Sequence, residues 1–291
     1  MRRSIYVVVL LAWTATGGRL WGQDPAPQPS EKEVLSRALE RGLAREQQGV
    51  DRRYTHRLHR VVEKLDRDAR PVRVEKFLYQ VVYIDGMRYE RLLEKDGKPL
   101  GKREQEAERR KEEAFRRRLQ RDGDGDSLNA RVFRFNRDLV DRYRFRLTGT
   151  GEVNGRQAFV VSFEPKSGKL PVRHRVDRAL NNSKGRVWLD QESYDIARVE
   201  FRMFRTTRFG WGILGSISHV EGVLECREGK GGNWFPSFFR IYLKGRVLFR
   251  SMHTRRTSRW SEFEPVAEAP PQSSRVISRP ESLRPRSRAD R

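Results

Sequence analysis

The stretch "KGRVWLDQESYDIARVEFRMF", residues 184–204, predicts two β-strands separated by a polar turn. Successive side chains of a strand point to opposite faces of its sheet, so the alternation of residue types defines the two faces. Arg198, Glu200 and Arg202 indicate that one face is exposed to solvent, and Trp188 lies on that face of its own strand. The opposite face is apolar and carries the odd-numbered residues Val187, Leu189, Ala197, Val199, Phe201 and Met203.

Similar alternation extends on both sides of this hairpin and predicts about ten strands, nearly all joined as consecutive antiparallel neighbours. Asp85-Gly86 and Asn154-Gly155 predict two-residue hairpin turns, since both dipeptides tolerate the left-handed backbone that such turns need. A long antiparallel sheet curls and has to cover its apolar face. The expected fold class is therefore α+β, with a curled antiparallel β-sheet that forms an open half-barrel.

Two predicted helices are available to cover that face. Residues 31–47 have apolar side chains at helical spacing, with Ser30 as N-cap and Glu33 completing a capping box. Residues 103–121 are charged almost all round and form a helical insertion after the third strand, favoured by helix propensity and by opposite charges at helical spacing. A further short helix is predicted over residues 128–135.

The folded half-barrel domain is predicted to span residues 31–264. Residues 1–23 combine a basic start with an apolar run too short to span a membrane, which is typical of a Sec-type secretory signal peptide. Residues 24–30 form a Pro-rich linker, and residues 265–291 a disordered basic tail. Cys226 is the only cysteine, which excludes an intramolecular disulfide. The expected location is a bacterial periplasm.

The formal net charge of +23 is spread along the whole chain. Nucleic-acid binding requires a concentrated basic patch, so no nucleic-acid partner is expected. Polyanion binding through the strand face of Arg142, Arg144 and Arg146 stays open as a separate hypothesis. It would show a steep loss of affinity with added salt.

Signatures of catalysis or metal binding are weak in this sequence. Asp122, Asp124 and Asp126 match the start of a calcium loop, but Ser127 stands where the sharp turn needs Gly and Phe133 where the bidentate Glu belongs. His56 and His59 would lie on opposite faces of one strand, and Cys226 fits a small core residue. There is no nucleophile elbow and no phosphate-binding loop. We therefore expect a protein that is not an enzyme and needs no metal or cofactor.

The strands offer more apolar surface than the predicted helices can cover. A curled sheet in that condition encloses an apolar groove, as barrel-like folds that hold small ligands do. The candidate cavity residues are Phe145, Leu147, Phe159, Val161, Phe163, Val187, Leu189, Val199, Phe201 and Met203.

Several motifs resemble the outer-membrane lipoprotein-sorting (LolA-like) family. They are the "G-x-V-W-L-D" strand over residues 185–190, its returning partner over 194–200, and the "W-x-P" strand in "NWFPSFFRIYLKG", residues 233–245. The resemblance covers roughly residues 31–264. It implies an open half-barrel whose helices plug the mouth and whose cavity binds acyl chains without catalysis.

Two functions follow as expectations from that resemblance. The first is a periplasmic carrier for the acyl chains of lipoproteins or related lipids, with a basic rim that makes transient contact with a membrane surface. The alternative is an envelope-stress sensor or scaffold whose half-barrel binds a protein partner through residues 103–121 or the tail. The sequence leaves the cargo and the oligomeric state open.

Overall fold

A computed structural model of the chain describes residues 29–122, 137–172, 177–209, 215–248 and 250–266. In these ranges, twelve strands form one antiparallel sheet that does not close on itself, which confirms the expected open half-barrel. The count exceeds the predicted ten by the two shortest strands, β4 and β9, which span only two and three residues. The strands are β1 Tyr54–Leu65, β2 Pro71–Ile84, β3 Met87–Lys95, β4 Lys98–Pro99, β5 Tyr143–Val153, β6 Arg156–Pro165, β7 Ser183–Asp190, β8 Ile196–Met203, β9 Thr207–Phe209, β10 Gly215–Glu228, β11 Trp234–Val247 and β12 Arg250–Pro265.

The strand order is β4-β3-β2-β1-β12-β11-β10-β8-β7-β6-β5, with β9 paired to β10 beside this path. Most neighbours are consecutive, as predicted. The exception in the centre is β1, which pairs with β12 from Tyr54 against Pro265 to Lys64 against Thr254. This pairing joins the first and last strands of the sheet, so its edges are β4 and β5.

Both predicted hairpin turns are present. Asp85 and Gly86 have φ of 49° and 76°, and Asn154 and Gly155 have φ of 53° and 80°. These positive angles are those of a type I′ turn, in which the backbone twist matches the twist of the flanking strands. The dipeptides therefore fix the registers of β2–β3 and β5–β6.

We call the face that carries Val187 and Leu189 the inner face, and the face that carries Arg198 and Glu200 the outer face. Helix α1, Glu31–Gln48, packs on the inner face through Val34 and Ala38. It covers a cluster formed by Phe159, Val161, Val187 and Leu189, with Leu35, Leu39, Phe145, Leu147 and Val199 at its margin. The predicted amphipathic helix is thus confirmed as a cover of the apolar face.

Helix α2, Lys102–Asp122, is the predicted charged insertion, but it does not cover the inner face. It packs through Phe115 and Leu119 on Val82, Ile84 and Tyr89, which lie on the outer face of β2 and β3. Its charges add to that contact, since Glu112 accepts hydrogen bonds from Nε and Nη2 of Arg91 at 2.9 and 3.1 Å. The expectation that this insertion covers the concave apolar face is therefore wrong. The helix α2 carries few apolar residues, and its sequence therefore does not reveal which face of the sheet it packs on.

Two glycines on the inner face permit close packing of aromatic rings. A Cβ on Gly185 would lie 1.9 Å from the Glu200 carbonyl oxygen and 2.9 Å from Cζ of Phe163. A Cβ on Gly222 would lie 2.5 Å from Cζ of Phe201. The rings of Phe163 and Phe201 thus lie over neighbouring strands, and any larger residue at either glycine would displace a ring or the backbone.

Two short helices complete the described structure, α3 Arg137–Arg142 and α4 Asp177–Leu180, with 3₁₀ turns at Val50–Arg53 and Lys230–Gly232. No helix among the described residues is long and apolar enough to cross a membrane. Several predicted features lie outside the described residues: the signal peptide, residues 24–28 of the linker, Asp124 and Asp126 of the calcium-like loop, the helix over 128–135 and nearly all of the tail.

Candidate functional site

A cavity of about 210 Å³ lies on the inner face, between α1 and strands β1, β3 and β10–β12. It lies beside the cluster under α1 and shares Ala38 and Ile196 with it. The β7–β8 turn contributes Tyr194 and Asp195 to its wall. The quoted hairpin therefore bounds this cavity through its turn, while its strands pack against α1.

The floor of the cavity is apolar and aromatic. Leu224, Cys226, Trp234 and Phe239 form a buried cluster there, with Trp260 packed against it. Phe263 closes one side, with its ring stacked on Phe235 at a centroid distance of 4.5 Å and tilted against the His56 ring at 4.7 Å. Large aromatic surfaces of this kind favour an apolar ligand.

The wall contributed by α1 is charged and balanced. Asp195 is buried and accepts hydrogen bonds from Nε of Arg41 at 2.8 Å and Nη1 of Arg45 at 3.1 Å. Arg45 also pairs with Asp51 at 3.2 Å. Two carboxylates thus neutralise two guanidiniums, and the same contacts hold α1 to the turn that follows β7.

The opposite wall, from β1 and β3, centres on Glu90. Its carboxylate pairs with Arg60 and Arg88, each at 2.8 Å. Burial alone would raise the pKa of Glu90, but the hydrogen bond from Arg60 and the charge of Arg88 hold it below its usual range. The Arg60 guanidinium also lies over the Tyr79 ring at 4.9 Å. Glu90 is thus held ionised at neutral pH between two cations.

Two further polar groups line this end of the cavity without a matching partner. In the described part of the chain, no carboxylate lies within ion-pair distance of Arg256, and its Nε is buried without a hydrogen-bond partner. Burial lowers the pKa of Arg256, and the charge of Arg60 lowers it further. The buried Nδ1 of His56 also lacks a partner. Burial and the charge of Arg88 lower the pKa of His56 to about 4, so its imidazole is neutral at pH 7.

The ten cavity residues predicted from the sequence lie beside this cavity rather than around it. Seven belong to the cluster under α1: Phe159, Val161, Val187 and Leu189 in its centre, with Phe145, Leu147 and Val199 at its margin. Phe201 packs at the edge of the Leu224–Phe239 cluster. Phe163 packs against the rings of Tyr143 and Phe145, and Met203 is buried beside Thr207. Their role in ligand binding stays a prediction.

Sequence reasoning missed the residues that line the cavity itself. Arg256, Ser258 and Trp260 share the inner face of β12, but the opposite face carries Arg255, Thr257 and Arg259. Because both faces look polar, alternation does not reveal which one turns inward. The "W-x-P" motif does mark part of the site, since Trp234, Phe235 and Pro236 line it.

The outer face is basic, as the alternation in the quoted stretch predicts. Trp188 lies there between the guanidiniums of Arg186 and Arg198, at 5.0 and 5.6 Å from its ring centre, which confirms the predicted register. A broad groove of about 1000 Å³ crosses this face. It is lined by Arg144, Arg146, Lys184, Arg186, Arg198, Arg202, Arg240 and Arg255, with Glu164, Glu200 and Glu221.

Arg142 does not belong to that basic face. It ends α3 and is fully buried, with ion pairs to Asp138 at 3.3 Å and Asp177 at 3.4 Å. β5 begins one residue later, at Tyr143. The predicted face of Arg142, Arg144 and Arg146 is therefore wrong in its first member, because the strand alternation does not reach back to it.

The described residues show no cluster of three or more metal-binding side chains. His56 is buried on the inner face and His59 is exposed, as their strand spacing predicts. Cys226 is buried in the core as expected, and burial raises the pKa of its thiol to about 12.

Fold and cavity together define an open half-barrel with a small, mixed aromatic and cationic site on its inner face. No protein-family model matches the sequence, and no curated protein sequence matches it significantly.

Solved structures of similar fold include a domain classed as an outer membrane lipoprotein-sorting protein from Vibrio parahaemolyticus, at 13% identity and a TM-score of 0.36, covering 79% of this chain and 94% of that one. A DUF1329 family protein from Desulfovibrio piger has 13% identity and a TM-score of 0.33, with 82% and 94% covered. A LolA superfamily protein from Nitrosomonas europaea has 10% identity and a TM-score of 0.30, with 83% and 96% covered. These similarities are distant, and the geometry of the site has to support the functional conclusion.

Proposed function

We propose that this protein is a non-catalytic binding protein in a bacterial periplasm that holds an acyl chain, from a lipoprotein or a related lipid, on the inner face of its half-barrel. The observation that supports this most directly is the cavity beside α1, whose floor is formed by Leu224, Phe239 and Trp260. Burial of an acyl chain contributes about 0.8 kcal/mol per methylene, so a modest length of chain gives useful affinity.

The cavity of about 210 Å³ is smaller than the pockets of roughly 300–1,000 Å³ that hold drug-sized ligands. It therefore accommodates one segment of an acyl chain. We propose that the rest of the chain follows the inner face beneath α1, along the seven predicted residues that pack there. Only Val34 and Ala38 of α1 are buried, so a small displacement of the helix would expose that path.

A first experiment measures binding of a fluorescent fatty acid to the mature protein and to a variant in which the cavity is filled. Leu224→Trp places an indole in the floor and is expected to weaken binding by about tenfold or more, since the displaced methylenes lose their apolar contacts. Val223→Trp is the matched control, because Val223 is the adjacent residue of β10 and lines the outer groove.

Thermal unfolding of both variants would verify that they fold. Organic extracts of the purified wild-type protein, analysed by mass spectrometry, should contain co-purified lipid. A protein that carries no lipid and binds no fluorescent fatty acid would contradict the proposal.

Protein-partner binding stays open as the second function. The outward side of α2 is exposed and highly charged, and deletion of residues 265–291 tests the tail as a contact. If a partner binds through the tail, the deletion should abolish partner binding and leave fatty-acid binding unchanged.

A further inference from the structure

We propose that the cavity contains an anion subsite, formed by the guanidiniums of Arg256, Arg60 and Arg88, that binds the phosphate or carboxylate of a lipid whose acyl chain occupies the apolar floor. The proposal rests on the proposed function and specifies its ligand as an anionic amphiphile.

The first support is the distribution of charge around the cavity. On the α1 side, Arg41 and Arg45 are matched by Asp51 and Asp195. On the β1–β3 side, three guanidiniums face one carboxylate, because Glu90 pairs with both Arg60 and Arg88 and leaves Arg256 without an acid. Arg52 adds a further exposed cation at the mouth. His56 is neutral at pH 7 and therefore does not change this charge balance.

The second support is the environment of Arg256. Nε of Arg256 and Nε of Arg60 are both buried and lack hydrogen-bond partners. Arg256 lies over the Phe239 ring at 6.0 Å, the outer limit of a cation–π contact, which offers no hydrogen-bond acceptor. Leaving a buried donor unsatisfied is unfavourable, and a planar guanidinium matches the geometry of a carboxylate or phosphate through paired hydrogen bonds. A bound anion would satisfy these donors.

The third support is the position of the cations next to the apolar floor. Arg256 lies opposite Ile241 of β11, and Ser258, two residues further along β12, lies opposite Phe239. Ser258 also faces Arg60 across the β1–β12 pair. The cations and the aromatic floor are therefore adjacent rows of the same sheet face. A ligand that fits both rows has a charged group joined directly to an apolar chain.

The test compares three ligands with the same chain: palmitate, 1-palmitoyl lysophosphatidate and the uncharged 1-palmitoylglycerol. We expect the wild-type protein to bind at least one of the two anionic ligands about tenfold or more tightly than palmitoylglycerol, as charge-assisted hydrogen bonds would require. Tighter binding of lysophosphatidate identifies a phosphate headgroup, and tighter binding of palmitate identifies a carboxylate. Inorganic phosphate should compete only in the first case.

Arg256→Met removes the charge and keeps much of the side-chain volume. It should remove the preference for the anionic ligand, while affinity for palmitoylglycerol changes by less than about twofold. Arg259→Met is the matched control, because Arg259 lies on the same strand with its side chain on the outer face, over Phe238 at 5.4 Å. That variant should bind all three ligands as the wild type does.

The outcomes separate the two proposals. Equal binding of all three ligands by the wild-type protein would overturn the anion subsite and leave acyl binding intact, whether or not Arg256→Met folds. Retention of the preference in a folded Arg256→Met variant would overturn the subsite as well. Failure of all three ligands to bind would instead overturn the proposed function on which the subsite rests.

Discussion

At the scale of single residues, buried polar groups stabilise the turns of the half-barrel and make its stability depend on pH. Asp190, the last residue of the "G-x-V-W-L-D" motif, is buried and accepts hydrogen bonds from Nε of Arg156 at 2.7 Å and from the backbone N–H of Ser193 at 2.8 Å. These contacts fix the β7–β8 turn and join it to β6. Asp190 therefore stabilises the turn that forms part of the cavity wall.

His56 should make the stability of the protein depend on pH. Its pKa is lowered to about 4 by burial and by Arg88, against 6.5 for an exposed histidine. As pH falls below 6.5, His56 of the unfolded chain takes up a proton, whereas His56 of the folded protein stays neutral until about pH 4. The unfolded state therefore binds more protons in this window, and folding stability decreases as pH falls through it. The difference of about 2.5 pK units corresponds to a loss of about 3 kcal/mol.

The variant His56→Phe isolates this contribution, because a phenyl ring retains the ring contact with Phe263 and removes the titrating nitrogen. Urea unfolding at pH 7 and pH 4.5 measures it. We expect the wild type to lose about 2–3 kcal/mol more than the variant between the two pH values. Equal losses would show that His56 titrates as an exposed residue does.

At the scale of elements, α1 is the movable part of the site. It packs with a narrow apolar stripe. Its polar attachments include Arg41 and Arg45 on Asp195, Arg37, which donates to the Tyr194 hydroxyl at 3.2 Å, and Glu31, which accepts a hydrogen bond from the backbone N–H of Leu147 at 2.8 Å. Such a helix is stabilised at its ends and along one stripe, so its opening needs less energy than unfolding of the sheet. Its attachment controls access to the inner face.

Asp195→Asn should loosen α1. Removing the Asp195 carboxylate leaves Arg41 without an acid among the described residues and leaves Arg45 with Asp51 alone. Breaking a buried ion pair in this way costs about 3 kcal/mol, which raises the population of the opened helix by about a hundredfold. Hydrogen exchange of the α1 amides should accelerate accordingly. The thiol of Cys226, which lines the cavity, should also react faster with a maleimide.

Glu192→Gln is the control for this variant, since Glu192 lies in the same turn and pairs with Arg156 instead of α1. Its exchange and its thiol reactivity should match the wild type. If α1 exchanges at the wild-type rate in Asp195→Asn, its attachment does not depend on the Asp195 carboxylate.

At the scale of the whole molecule, the sequence predicts the architecture better than the site. The hairpin dipeptides and strand alternation lead to the antiparallel half-barrel, because these signals are local. The pairing of β1 with β12 joins residues some two hundred positions apart and has no local signal. The cavity depends on that pairing, since it brings Arg60 beside Ser258 and Arg256. The alternation around Val187 therefore indicates an apolar inner face, while the cations on that face become visible only once the distant strands are paired.

The outer face leads to a prediction about membranes. In the described structure, Arg146, Lys184, Arg202 and Arg240 line the outer groove with no carboxylate within ion-pair distance. Each basic residue near an anionic bilayer contributes about 1 kcal/mol of binding free energy. Added salt shortens the Debye length, so the attraction between these four cations and the bilayer weakens as the salt concentration rises.

We expect sedimentation with phosphatidylglycerol vesicles at about 20 mM salt and release at about 200 mM. Changing Arg146, Arg202 and Arg240 to Gln should remove most of the sedimentation at low salt, because three of the four unpaired cations are lost. The Arg256→Met variant, whose substitution lies on the inner face, should sediment as the wild type does. Sedimentation that persists at high salt would instead indicate insertion of apolar residues into the bilayer, and sedimentation unchanged by the triple substitution would exclude the outer groove as the contact.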